Sequence, residues 1–203
     1  MYQDGAMMTT HDPKANLKDY LQGGRETLLW KLNGLSDYDI RRPLVPTGTN
    51  LLGLVKHKAH SELIYFGETF GRPSEELSAR FKAGVEPNAD FWATAEEPRQ
   101  QIVELYQRVW AHSDATIDAL ALDSLGHVPH WAAGQDEVTL HEVMVHVIVD
   151  TQRHAGHADI IRELIDGTAG LLNGADNLPS VDQVWWDSYR NKLQRVAEQV
   201  RRY

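Results

Sequence analysis

Cysteine is absent from this 203-residue chain. That excludes disulfides, thiolate metal sites and a cysteine nucleophile. Any metal must be held by histidine and carboxylate. Long apolar runs are missing too. None approaches the ~18 residues of a membrane span, so no membrane partner is expected. Positive charge is scarce, with 20 basic against 29 acidic residues and a net charge of −9. The basic cluster Arg201-Arg202 is too short to serve as a nucleic-acid footprint, so no nucleic-acid partner is expected. The opening M-Y-Q-D-G-A-M-M-T-T-H-D-P-K has no apolar h-region, which argues against a secretory signal. Residues 1–11 are expected to form a disordered tail, and the protein to be cytoplasmic.

What remains is 42% hydrophobic and 24% charged, an ordinary balance for a globular chain. The length suits a single domain, expected over residues 12–203. Five helical segments are predicted and no strand. The first opens at Asp12-Pro13, an N-cap followed by proline at the first helical position. It runs to about Leu35, with Gly23-Gly24 weakening its middle. The second runs from Leu51, capped by Asn50, to about Phe70, and a long polar linker follows to Phe91. Thr94-Ala-Glu-Glu97 fits a capping box for a third helix ending near Leu122. Thr139-Leu-His-Glu142 is a second box, for a helix ending at Asp166-Gly167. Ser180-Val-Asp-Gln183 is a third, for a last helix to about Arg202. The fold class is therefore all-α, a four-helix bundle with long crossover connections and an additional C-terminal helix packed outside it. Trp185-Trp186 would dock that helix or join a dimer contact.

The chemistry concentrates on the fourth helix. At ~100° per residue, Leu140, Val143, Val147, Ala158, Ile161 and Ile165 fall in one arc, which should face the core. Asp150 and His154 fall in the same arc, one turn apart. His146 and His157 lie at its edge. An unpaired carboxylate in an apolar interior costs several kcal/mol, so Asp150 needs a cation. A divalent metal would serve; so would a buried Arg or Lys. Asp and His are both ligands of zinc and nickel. A plain Asp150–His154 ion pair is the alternative. A third ligand must come from another helix, and the second offers His57 and His60. Periodicity does not choose between them, because that helix has apolar residues on two arcs. His57 has the more apolar neighbours.

These residues resemble a family. A histidine on the second helix, with carboxylate and histidine at i, i+4 on a later one, is similar to the DinB-like superfamily. That superfamily includes the mycothiol-dependent maleylpyruvate isomerases. The matching stretches are L-L-G-L-V-K-H, F-G-E-T-F-G, T-L-H-E-V-M-V-H, R-H-A-G-H-A-D-I-I-R-E-L-I-D-G and D-N-L-P, and the likeness spans about residues 14 to 190. It implies a four-helix bundle, often a homodimer, with His57, Asp150 and His154 as ligands of a divalent metal. It also implies that the metal activates a low-molecular-weight thiol such as mycothiol toward a small-molecule electrophile. Asp150 takes a position that many relatives fill with His or Glu. The isomerases carry a second domain for which this chain has no length, so maleylpyruvate isomerisation is not expected.

Five other residues are candidates for the pocket or its surroundings. His157, one turn beyond His154, offers a second histidine or a substitute ligand. Glu62, one turn from His57, is either an acceptor or base beside the metal or a surface carboxylate. Arg153 offers a cation to Asp159 or to an anionic substrate. Trp131 could roof a pocket that Tyr65 helps to line. Three functions stand together: a metal-dependent thiol transferase, a non-catalytic metal-stabilised binding or stress-response protein, and a metal-free scaffold.

Overall fold

A computed structural model describes residues 12–81, 86–172 and 174–201; the expected tail, residues 1–11, lies outside them. Among the described residues, six α-helices make up nearly all of the regular structure: α1 (Pro13–Trp30), α2 (Leu51–Glu62), a short α3 (Glu75–Ser78), α4 (Arg99–Ala119), α5 (Leu140–Asp166) and α6 (Gln183–Val200). The bundle is built from α1, α2, α4 and α5. α5 packs against both α1 and α2, and α2 packs against α4. Side chains of α1 then reach α4: Lys18 pairs with Asp118 and Arg25 with Asp114. The order around the bundle is therefore not chain order, as the long connections lead one to expect. No described helix is long and apolar enough to cross a membrane.

The caps follow local chemistry. Asp12 accepts from the Lys14 amide, with Pro13 in the first turn, and Asn50 accepts from the Gly53 amide at 2.8 Å. Thr139 and Glu142 form the reciprocal box at the start of α5. The other two boxes do not form as expected. Glu97 accepts from the Thr94 amide, but proline at 98 delays the helix to Arg99. α6 starts at Gln183, because Asp182 rather than Ser180 caps it, accepting from the Trp185 amide.

Helix α1 ends at Trp30, five residues before the expected Leu35. Arg162 of α5 takes the carbonyls of Lys31 and Asn33, so that turn is spent on α5 instead of continuing the helix. Gly24 does not weaken α1; it lets α1 meet α5. A Cβ there would stand 2.8 Å from Thr151 Cγ2. The second helix does reach Phe70, but through a π-helical turn, Leu63–Gly67, and a 3-10 turn.

Two expectations fail. A two-stranded antiparallel hairpin, β1 (Leu125–His127) with β2 (Glu137–Thr139), was not foreseen. Its strands have only three residues each, too few for an alternating pattern to stand out. And α6 does not pack on the bundle: none of its described residues is buried. Trp185 stacks on Tyr189 of its own helix instead.

Candidate metal centre

Helix α2 is buried on nearly every side, which is why its apolar residues fall on two arcs. Lys58, fully buried, shares its interior. On α5, Asp150 and His154 are partly buried and face α2. His57, Asp150 and His154 each present one ligand atom, all within 4.8 Å of one another. The His57 and His154 rings meet edge to face at 4.9 Å.

Each of the three is held from behind. His57 Nδ1 lies 2.7 Å from Asp90 Oδ2, and the Phe91 ring stacks on the imidazole at 3.8 Å. With Nδ1 committed, Nε2 is the nitrogen left to ligate, an arrangement common behind metal-binding histidines. Asp150 Oδ2 accepts a 2.6 Å hydrogen bond from Lys58 Nζ. Its Oδ1 is 3.4 Å from His154 Nε2. The other nitrogen of His154, Nδ1, is buried and has no hydrogen-bond partner among the described residues. A buried nitrogen without a partner is costly, and two imidazoles with one carboxylate are a proper donor set for a divalent metal. The residues present fit such an ion.

The electrostatics agree. Burial opposes the charge of Asp150, but His154 and Lys58 outweigh it and hold the carboxyl well below the usual range. Asp90 is depressed in the same way: burial is outweighed by hydrogen bonds from His57 and His60. Burial pushes His57 below its ordinary value, although the Asp90 bond opposes this. The unprotonated, ligating form of His57 is thereby favoured near neutral pH.

Beside the three lies an open cavity of about 260 Å³. His57, Asp90 and Asp150 line it, together with Tyr65, His130 and His146. Trp131 sits behind them, its ring 5.4 Å from His146 and 6.3 Å from Tyr65. The other candidates lie elsewhere. Glu62 is neither on the surface nor at the cavity. It is fully buried, held by Arg25 at 2.6 Å and by the Tyr106 hydroxyl at 3.1 Å. His157 is exposed, its ring 5.5 Å from that of His154. Arg153 is exposed and does not line the cavity.

Sequence reasoning missed Lys58, Asp90 and His130. Lys58 was within reach, since a lysine in a helix apolar on two arcs has little room to leave the interior. Asp90 was not, because the 3-10 turn Ala89–Phe91 is brought to His57 by a tertiary contact. That contact rests on Gly53, where a Cβ would lie 1.8 Å from the Phe91 carbonyl oxygen.

A family model described as mycothiol-S-transferase matches residues 16–167. No curated protein matches the chain. Among solved structures, a conserved protein from Enterococcus faecalis superposes with a TM-score of 0.61 at 16% identity, covering 77% of this chain and 99% of that one. That likeness shows the fold.

Proposed function

The chain belongs to the mycothiol-S-transferase family, a DinB-like family, and we propose that it is a metal-dependent transferase. It joins a low-molecular-weight thiol such as mycothiol to a small-molecule electrophile. His57, Asp150 and His154 hold the metal, zinc or nickel. The observation that carries this reading is the convergence of these three residues from two helices, two of which, His57 and Asp150, line the cavity. Three protein ligands leave coordination positions open, the pattern of catalytic rather than structural sites. A divalent metal bound there supplies a lowered thiol pKa, and so a thiolate at neutral pH.

The chain's own residues supply the rest. Asp90 and Phe91 fix the His57 ring and leave Nε2 to ligate. Lys58 ties one oxygen of Asp150 and leaves the other to ligate. The absence of cysteine fits a thiol that arrives from outside. We further propose a homodimer, which the exposed apolar face of α6 supports.

A second reading rests on Lys58. Its ammonium already neutralises Asp150, so the same cluster can be a metal-free ion pair in a helical scaffold. Elemental analysis separates the two. The transferase reading expects about one zinc or nickel per chain, lost in His57→Ala, Asp150→Ala and His154→Ala, and metal-dependent consumption of mycothiol in the presence of electrophiles. Wild type that stays metal-free after incubation with both ions overturns it.

A further inference from the structure

The cavity that His57 and Asp150 line also carries a second set of polar groups. Tyr65 comes from the π-helical turn Leu63–Gly67, an irregularity that recurs at functional sites. His130 comes from the loop of the β1–β2 hairpin, and His146 from α5. All three line the cavity with His57 and Asp150. The Tyr65 ring is buried, tilted against the His146 ring at 4.8 Å. Its hydroxyl lies 3.4 Å from His130 Nε2. That distance is long for a strong bond. His130 itself is exposed. A largely buried phenol at the cavity thus has an exposed imidazole beside its hydroxyl.

Resting on the transferase reading, we infer that Tyr65 is the proton donor to an oxygen of the electrophile, with His130 relaying protons to it from solvent. The substrate class follows. It is an electrophile that keeps its oxygen on addition, an epoxide or an α,β-unsaturated carbonyl, rather than one that expels halide. As the thiol sulfur bonds to carbon, the epoxide C–O bond breaks, or the π electrons of the enone move toward oxygen. The electron pair comes to rest on oxygen, which takes the Tyr65 hydroxyl proton. Tyr65 is reprotonated through His130, and the proton shed by the thiol leaves to solvent. The product is a hydroxy thioether from the epoxide; from the enone it is an enol, which becomes the carbonyl thioether by losing its O–H proton to solvent and taking one at carbon. A halide leaves with its electron pair and needs no such proton.

The test uses the metal-loaded full chain with mycothiol and two electrophiles, styrene oxide and 1-chloro-2,4-dinitrobenzene. Tyr65→Phe is expected to lower the ratio of kcat/KM for the epoxide over the halide by about 10²-fold, the lower end of what a general acid contributes. His130→Ala, a change at an exposed loop, is expected to lower the same ratio by less, with recovery on adding imidazole. Thiol affinity by calorimetry checks that the variants are folded and bind. An unchanged ratio in both variants overturns the proposal. Wild-type turnover of the halide but not the epoxide also overturns it and leaves the transferase reading standing. Turnover of neither overturns both.

Discussion

Lys58 Nζ stands 2.6 Å from Asp150 Oδ2, and the lysine is 0% exposed. A buried ammonium bonded to a candidate metal ligand sets up a competition between two cations for one carboxylate. Lys58→Met keeps the volume and removes the charge. Asp150 is then left without its cation unless metal is present. Breaking a buried pair costs roughly 3–5 kcal/mol, and the partial exposure of Asp150 puts the expected loss near the lower figure. Zinc should then raise the melting temperature of Lys58→Met more than that of wild type, because metal there takes over the charge that Lys58 supplied to Asp150. Thermal melts of both proteins, with and without zinc, check this. A zinc-induced rise that is no larger in the variant would remove Lys58 from the account.

The second prediction concerns the approach of Asp90 to His57. Gly53→Ala drives a methyl into the Phe91 carbonyl, so the Ala89–Phe91 turn must retreat. Overpacking costs about 1–3 kcal/mol. The retreat also takes Asp90 away from His57 Nδ1, so zinc affinity should fall, by about the 10–100-fold typical when such an outer partner is lost. Gly156→Ala on α5 is the control. A Cβ there meets nothing within 4 Å, and alanine should be neutral or stabilise by up to ~1 kcal/mol.

These two predictions draw on parts of the molecule that were unequally legible in the sequence. α5 was legible because its arc, its capping box and its terminal Gly167 agree on one helix in one orientation. Its Asp150 and His154 could be singled out because they break an otherwise apolar arc. α2 was harder. A helix buried all round has no polar face, so periodicity could not choose between His57 and His60, and Glu62 looked like a surface carboxylate. Asp90 and His130 sit in irregular segments whose positions come from tertiary contacts. No local pattern encodes these.

Glu62 carries the third prediction. It was expected beside the metal or on the surface, but it anchors the core with Arg25 and Tyr106. Glu62→Gln leaves Arg25 with a weaker buried partner and should cost about 3 kcal/mol or more. The loss should be the same with and without zinc, since among the described residues no hydrogen bond or ion pair joins Glu62 to the three candidate ligands. Paired denaturation curves would show a zinc-dependent difference if Glu62 did support the metal.

Acid sensitivity comes from carboxylates such as Glu97. Burial opposes its charge, but Lys56 and the Thr94 amide outweigh this and hold its pKa below the ordinary 4.5. A carboxyl depressed on folding contributes stability that is present above its unfolded value and lost as pH falls through its folded value. Melting temperature should therefore decline below about pH 4.5, and less steeply in Glu97→Gln. Identical slopes in the two proteins would show that other groups set the acid limb.

The last prediction concerns α6. It presents Trp185, Tyr189, Leu193, Val196 and Val200 at spacings of three and four, all exposed, and it buries nothing against the bundle. A helix with no buried residue among those described should be removable without loss of the fold. A chain ending at Pro179 should therefore melt as a monomer close to the melting temperature of the intact protein when dilute. If two copies pair through α6, the intact chain should sediment as a dimer and gain stability with concentration, and the shortened chain should do neither. A shortened chain that remains dimeric would move the interface elsewhere. One that unfolds would show that α6 packs on the bundle after all.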